Sequence, residues 1–170
     1  MAKMTSAYAN KLLKQLNEDK EFWSNKEHQS CVYTAAVDET PVVPEYDYVA
    51  VAETIAELDR KICVIKHAIN AANVTSVVQV GEESMSIDTV LVKMAQANKR
   101  KEFLDYLRKQ EPKMRKEQGY GARNAAPEYQ YINYDLNLIK KEYERVSAGI
   151  MEMQLALDRY NQTFEFEVEL

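Results

Sequence analysis

The sequence predicts a mainly α-helical protein. The expected architecture is an antiparallel up-down bundle of four helices, two of them long heptad helices, with short β-strands at the helix ends. Two long apolar stripes with alternating three- and four-residue spacing carry that reading. The chain of 170 residues holds only four Gly and four Pro, which leaves little material for irregular structure. Each long stripe also runs out into a short β-rich stretch. A chain of this length buries a sizeable core as one domain, residues 1–170.

The elements follow in order. A first helix is expected from about Thr5 to Gln29, with Tyr8, Leu12, Leu13, Leu16, Phe22 and Trp23 as its apolar side. Cys31–Val37 (CVYTAAV) reads as an extended stretch. Asp47 is placed to cap the second helix, because its carboxylate can accept from free backbone N–H groups. Behind it, Tyr48, Val51, Ile55, Leu58, Ile62, Ile65, Ile69 and Ala72 form an unbroken stripe. Ser76–Val80 is strand-like. Ser86 is a suitable cap for a third helix carrying Ile87, Leu91, Met94, Leu104 and Leu107, which must stop before Pro112. Tyr129–Tyr134 is again extended. Asp135 caps a fourth helix whose stripe is Leu136, Ile139, Tyr143, Val146, Ile150, Met153, Leu157 and Tyr160. Phe164–Leu170 alternates apolar and acidic residues, the pattern of a half-buried strand. With successive helices antiparallel, the first and third extended stretches would pair at one end and the second and fourth at the other.

The second and fourth helices look like copies of one unit. Asp135 lies 88 residues after Asp47, and the same offset carries Asn73 to Asn161 and Thr75 to Thr163. Cap, stripe and Asn-x-Thr exit all match, so an internal pseudo-repeat is expected, 47–80 and 135–168.

Several classes of function find no support. The net charge of −5 argues against general nucleic-acid binding. The opening residues predict no secretory signal, and no apolar run reaches the roughly 20 residues of a membrane span. Two cysteines, Cys31 and Cys63, make no disulfide framework, which fits a reducing cytoplasm. No Walker A, G-x-S-x-G or HExxH pattern is present, nor the Glu-x-x-His pairs of a di-metal bundle. Hence neither an enzyme, nor a cofactor, nor a metal site is expected. His28, Cys31, Cys63 and His67 could in number ligate zinc, but in the heptad register Cys63 and His67 point away from the seam.

One stretch stands apart. Between Lys93 and Arg123, ten Lys or Arg accompany four Asp or Glu, a local +6 that leaves −11 on the rest of the chain. It contains Gly-Tyr-Gly and leads into a tyrosine-rich strand. The candidate ligand-binding residues are Lys113, Arg115, Lys116, Gly119, Tyr120, Gly121, Arg123, Asn124, Tyr129 and Tyr131. Cations and glycine-freed N–H groups suit phosphate or carboxylate, and tyrosine faces suit a planar base. The plainer alternative is a turn between a helix and a strand, with tyrosines as cross-strand packing partners.

The segments KHAINAANVTS (Lys66–Ser76), SIDTVLVKMAQANKRKEFLDYL (Ser86–Leu107) and LDRYNQTFEFEVEL (Leu157–Leu170) resemble the septicolysin-like family of small bacterial helical proteins. The resemblance covers roughly residues 45–170. It implies a soluble, mostly helical, oligomeric protein and transfers no catalytic residue.

Two functions follow as expectations. The first is a non-enzymatic oligomer that senses or sequesters a small anionic, nucleotide-like ligand, in the physical class of phage sponges for nucleotide immune signals. The second is a structural or protein-interaction coiled-coil module without a small-molecule ligand. In both, the expected partner is a second copy, with neither nucleic-acid polymer nor membrane.

Overall fold

The computed structural model describes residues 2–116 and 126–169. In chain order they form β1 (Ala2–Thr5), α1 (Ser6–Ser30), α2 (Tyr48–Thr75), β2 (Val77–Val80), β3 (Glu83–Ser86), α3 (Ile87–Arg108), β4 (Lys113–Arg115), β5 (Tyr129–Tyr131), α4 (Leu136–Thr163) and β6 (Glu165–Val168). The chain is mainly helical, with short strands paired as β1–β6, β2–β3 and β4–β5. It divides into two compact units, Met1–Val78 with Leu157–Leu170, and Gln79–Ala156.

In the first unit, Thr5 is extended and its hydroxyl accepts from the Tyr8 N–H at 3.3 Å, which starts α1. Asp47 starts α2 as the sequence predicts, accepting from the N–H groups of Val49 and Ala50 at 2.9 and 3.2 Å. The two helices are antiparallel. Late in α1, Glu27 accepts from the Tyr46 hydroxyl just ahead of α2, and Lys20 pairs with Asp59 at 2.6 Å. Ala9, Leu13 and Leu16 of α1 pack with Ile62, Ile65 and Ala72 of α2. Ile65 is fully buried, so its side chain stabilises the unit by about 1.5–3 kcal/mol of apolar transfer alone.

β6 pairs antiparallel with β1, with Met4 opposite Phe166 and Ala2 opposite Val168. Met4, Phe166 and Val168 are buried in the same cluster as the helices. Glu165 and Glu167 lie on the outer face, with Lys3 directly opposite Glu167. The alternation read from the sequence therefore holds over β6 itself; Phe164, ahead of the strand, is exposed, and Leu170 lies outside the described residues.

In the second unit, Gly81 at φ +57° makes the turn between β2 and β3, a conformation that costs an L side chain strain. Ser86 then caps α3, its hydroxyl accepting from the Thr89 N–H at 3.2 Å. α3 buries Ile87, Val90 and Leu104 and ends ahead of Pro112. β4 and β5 form an antiparallel ribbon, Lys113 opposite Tyr131 and Arg115 opposite Tyr129. Asp135 caps α4 by accepting from the Asn137 N–H at 2.7 Å.

Four expectations change. Cys31–Val37 is exposed and forms no strand; its β-branched content has no strand to pair with among the described residues. β1, too short to show a period, takes the place beside β6. The expected pairing of first with third and second with fourth stretches is replaced by β1–β6, β2–β3 and β4–β5. Tyr8, Phe22, Tyr48 and Leu91, expected on apolar stripes, are 58%, 63%, 64% and 41% exposed. In α1 the buried line runs through Ala9, Leu13 and Leu16, and Tyr8 and Phe22 lie off it.

Candidate functional site

The β4–β5 ribbon gathers four of the ten candidate ligand residues. Residues two apart on a strand share a face, and the register sets Lys113 beside Tyr131 and Arg115 beside Tyr129. All four thus stand on one exposed face, while Met114 and Gln130 lie on the other and line a small pocket of about 230 Å³ against the end of α3. The Lys113 ammonium sits 4.3 Å from the centre of the Tyr129 ring and 5.6 Å from that of Tyr131. It therefore covers one side of the ring faces that would stack a base. Lys116, just past the strand, is paired with Glu128 at 3.1 Å. Gly119, Tyr120, Gly121, Arg123 and Asn124 lie outside the described residues. Among the described candidates, Arg115 is the cation whose guanidinium has neither a carboxylate nor a ring partner. Every residue of the ribbon is exposed, unlike the lining of the concave sites that enclose small ligands.

The larger concavity lies elsewhere, in the first unit. A groove of about 1030 Å³ runs between α2 and β6. Its α2 wall is made of Val64, Ala68, Ala71 and Ala72, with Cys63 and His67 exposed at its rim. Its other wall is the consecutive run 164–169, from both alternating faces of the strand, and no residue of β1 takes part. A groove lined by neighbours of both faces runs along a strand edge, here the edge of β6 turned away from β1. That edge presents backbone N–H and C=O groups without a strand partner among the described residues. Sequence reasoning missed this site, because its two walls are about 100 residues apart in the chain. The one legible sign was the run of small residues on α2, which let another backbone come close.

The carboxylates with displaced pKa values are held down by adjacent cations. Glu57 accepts two hydrogen bonds from the Arg60 guanidinium, at 2.8 and 2.9 Å, which lowers its pKa to about 2. Lys109 and Arg108 hold Asp105 below the usual range, Lys93 does so for Glu83, and Arg145 for Glu142. These groups are anions at neutral pH and serve as ion-pair partners. Burial raises the pKa of Tyr134, whose hydroxyl donates to the Leu107 carbonyl at 2.7 Å and ties α3 to the segment before α4. In α4, Tyr143 receives the Arg108 guanidinium 4.0 Å from its ring centre.

Among the described residues no three His, Cys, Asp or Glu side chains come together as metal ligands. His28 and Cys31 lie at the end of α1, beside the start of α2. Cys63 is about 15 helical residues further along α2, roughly 22 Å away at the helical rise. No described helix is long and apolar enough to cross a membrane. No protein family, curated protein or solved structure matches the chain.

Proposed function

We propose that the protein is a non-enzymatic helical interaction module that assembles with copies of itself through the α2/β6 groove. The observation that carries this reading is the groove itself: an apolar wall on α2 beside a strand edge that has no partner among the described residues. Adding a strand to such an edge supplies main-chain hydrogen bonds and covers apolar surface together. The test is the mass of the protein in solution. Light scattering should give a multiple of 19.6 kDa, and Ala71→Arg, an exposed position inside the groove, should return the mass to that of one chain. A wild-type protein that remains one chain at high concentration refutes the reading.

The finer architecture belongs to the same proposal: a four-helix up-down bundle with an internal repeat, 47–80 and 135–168. Supporting it, α2 and α4 are both 28 residues long and start and end 88 residues apart, as do β2 and β6. The offset also relates individual bonds. The Asp47 and Asp135 caps correspond, and Thr75 and Thr163 each donate to the carbonyl four residues back.

A second reading keeps the ribbon as a site for a small anionic, nucleotide-like ligand, sensed or sequestered. The observation in its favour is the placing of Lys113, Arg115, Tyr129 and Tyr131 on one face. Thermal-shift screening over nucleotides tests it: stabilisation that disappears in Arg115→Ala and Arg123→Ala supports it, and no stabilisation by any nucleotide ends it.

A further inference from the structure

The groove raises the question of which strand fills it, and the charges along its edge narrow the answer. β6 presents Glu165 and Glu167 on its outer face, followed by Glu169, and buries Phe166 and Val168. None of the three glutamates makes an ion pair with a described residue: Lys3, opposite Glu167 in the ladder, forms no salt bridge with it. Two copies of β6 placed edge to edge would bring like charges together, so the groove is unsuited to its own strand. The occupant should alternate with the same period, basic where β6 is acidic and apolar where β6 is apolar.

Another strand of this chain has that pattern. β4 reads Lys113-Met114-Arg115, and all three residues are exposed. β4 is bonded to β5 on one side, and its other edge has no partner among the described residues. A two-stranded ribbon exposed on all its residues is marginal by itself and gains from a further strand. Resting on the self-assembly reading above, we infer that β4 of one copy adds to the β6 edge of a second copy, in the groove beside α2. Setting Met114 opposite Phe166 places Lys113 and Arg115 opposite Glu165 and Glu167 in either strand direction. Met114, 47% exposed in the free chain, then meets the apolar side of the sheet. Because each copy carries both a basic strand and an acidic groove, the contact either occurs twice in a two-fold dimer or runs head to tail around a ring. This use of Lys113 and Arg115 competes with the anion-site reading, since the glutamates of a neighbour would neutralise them.

The test is a charge exchange between two sets of the full-length protein, followed by analytical ultracentrifugation. Lys113→Glu with Arg115→Glu turns two attractions into two repulsions and should weaken association by on the order of tenfold or more. Glu165→Lys with Glu167→Lys should do the same. Each set alone should sediment as one chain, and an equimolar mixture should recover an assembly containing both. Because Lys at 167 faces Lys3 within the fold, Glu165→Gln with Glu167→Gln serves as a milder partner set, with unchanged helical circular dichroism required of every variant. If the wild type assembles and the β4 set assembles equally well, the β4 assignment is overturned and the self-assembly reading stands. If both sets dissociate and the mixture stays dissociated, the pairing of these two strands is overturned. A wild type that never assembles overturns both. So does a monomer whose groove takes up a Lys-Met-Arg-Lys peptide, because the occupant is then a foreign basic strand.

Discussion

Phe164 and Phe166 offer a sharp comparison, because the residue type is the same, but Phe166 lies within β6 and Phe164 just ahead of the strand. Phe166 is 9% exposed and sits in the cluster formed with Met4, Leu13, Leu16, Ile62 and Ile65. Truncation to Ala removes its transfer free energy and leaves a cavity that the packed helices cannot refill, a loss of about 3–5 kcal/mol. Phe164 is 41% exposed and its main contact is the stacked ring of Tyr160, centre to centre 4.9 Å. Its loss should therefore cost about 0.5–1.5 kcal/mol for the aromatic pair, plus a part of its half-covered area. In a chain of this size about 1 kcal/mol corresponds to roughly 2–4 °C, so Phe166→Ala should lower the melting temperature by about 6–20 °C. Phe164→Ala should lower it by a few degrees at most. Thermal and urea unfolding followed by far-ultraviolet circular dichroism read both. Equal losses, or a larger loss at Phe164, would contradict the placing of Phe166 in the core cluster beneath β6.

Further expectations follow from local features. Asp47→Ala and Asp135→Ala should each cost about 0.5–2 kcal/mol of stability, with the larger loss at Asp47, which accepts two N–H groups where Asp135 accepts one. Gly81→Ala forces a side chain into left-handed backbone and should destabilise by about 1–2 kcal/mol, whereas Gly149→Ala, with open space around its Cβ inside α4, should stabilise by about 0.5–1 kcal/mol. Acid should weaken the fold in a defined window. The pKa values of Glu57, Glu83, Asp105 and Glu142 are lower folded than unfolded, so their contribution is complete above the ordinary carboxylate range. It is lost as the pH falls from about 4.5 towards 2, the value held by Glu57. Urea midpoints measured across that range should fall, and Glu57→Gln should flatten the slope.

What could be read from the sequence was what is decided locally. Asp47, Ser86 and Asp135 were legible as caps because the bonds they make reach only two or three residues ahead. The α4 stripe was legible because a period of 3.6 is a property of the helix itself, and none of its eight positions is exposed. β1 was not legible: Ala2–Thr5 has no β character of its own and becomes a strand because β6 lies beside it. Cys31–Val37 shows the converse, a β-rich stretch with no strand partner among the described residues and hence no ladder. For the ribbon, the sequence marked Lys113, Arg115, Tyr129 and Tyr131 as neighbours of interest. It could not show that Glu128 takes up Lys116, or that Lys113 lies over the tyrosine rings. The groove escaped entirely because it exists only where α2 and β6 are brought side by side by the fold.

Cys63 reports most directly on whether another chain fills that groove. It is exposed at the rim, while Cys31, also exposed, lies at the far end of α1 and serves as an internal control. Alkylation of both thiols should be followed by mass spectrometry as the protein is diluted. If copies assemble through the groove, Cys63 should react more slowly than Cys31 at high concentration and catch up on dilution. A Cys63 rate that stays equal to that of Cys31 at every concentration would contradict the account, because the groove would then stand open whether or not the chains meet.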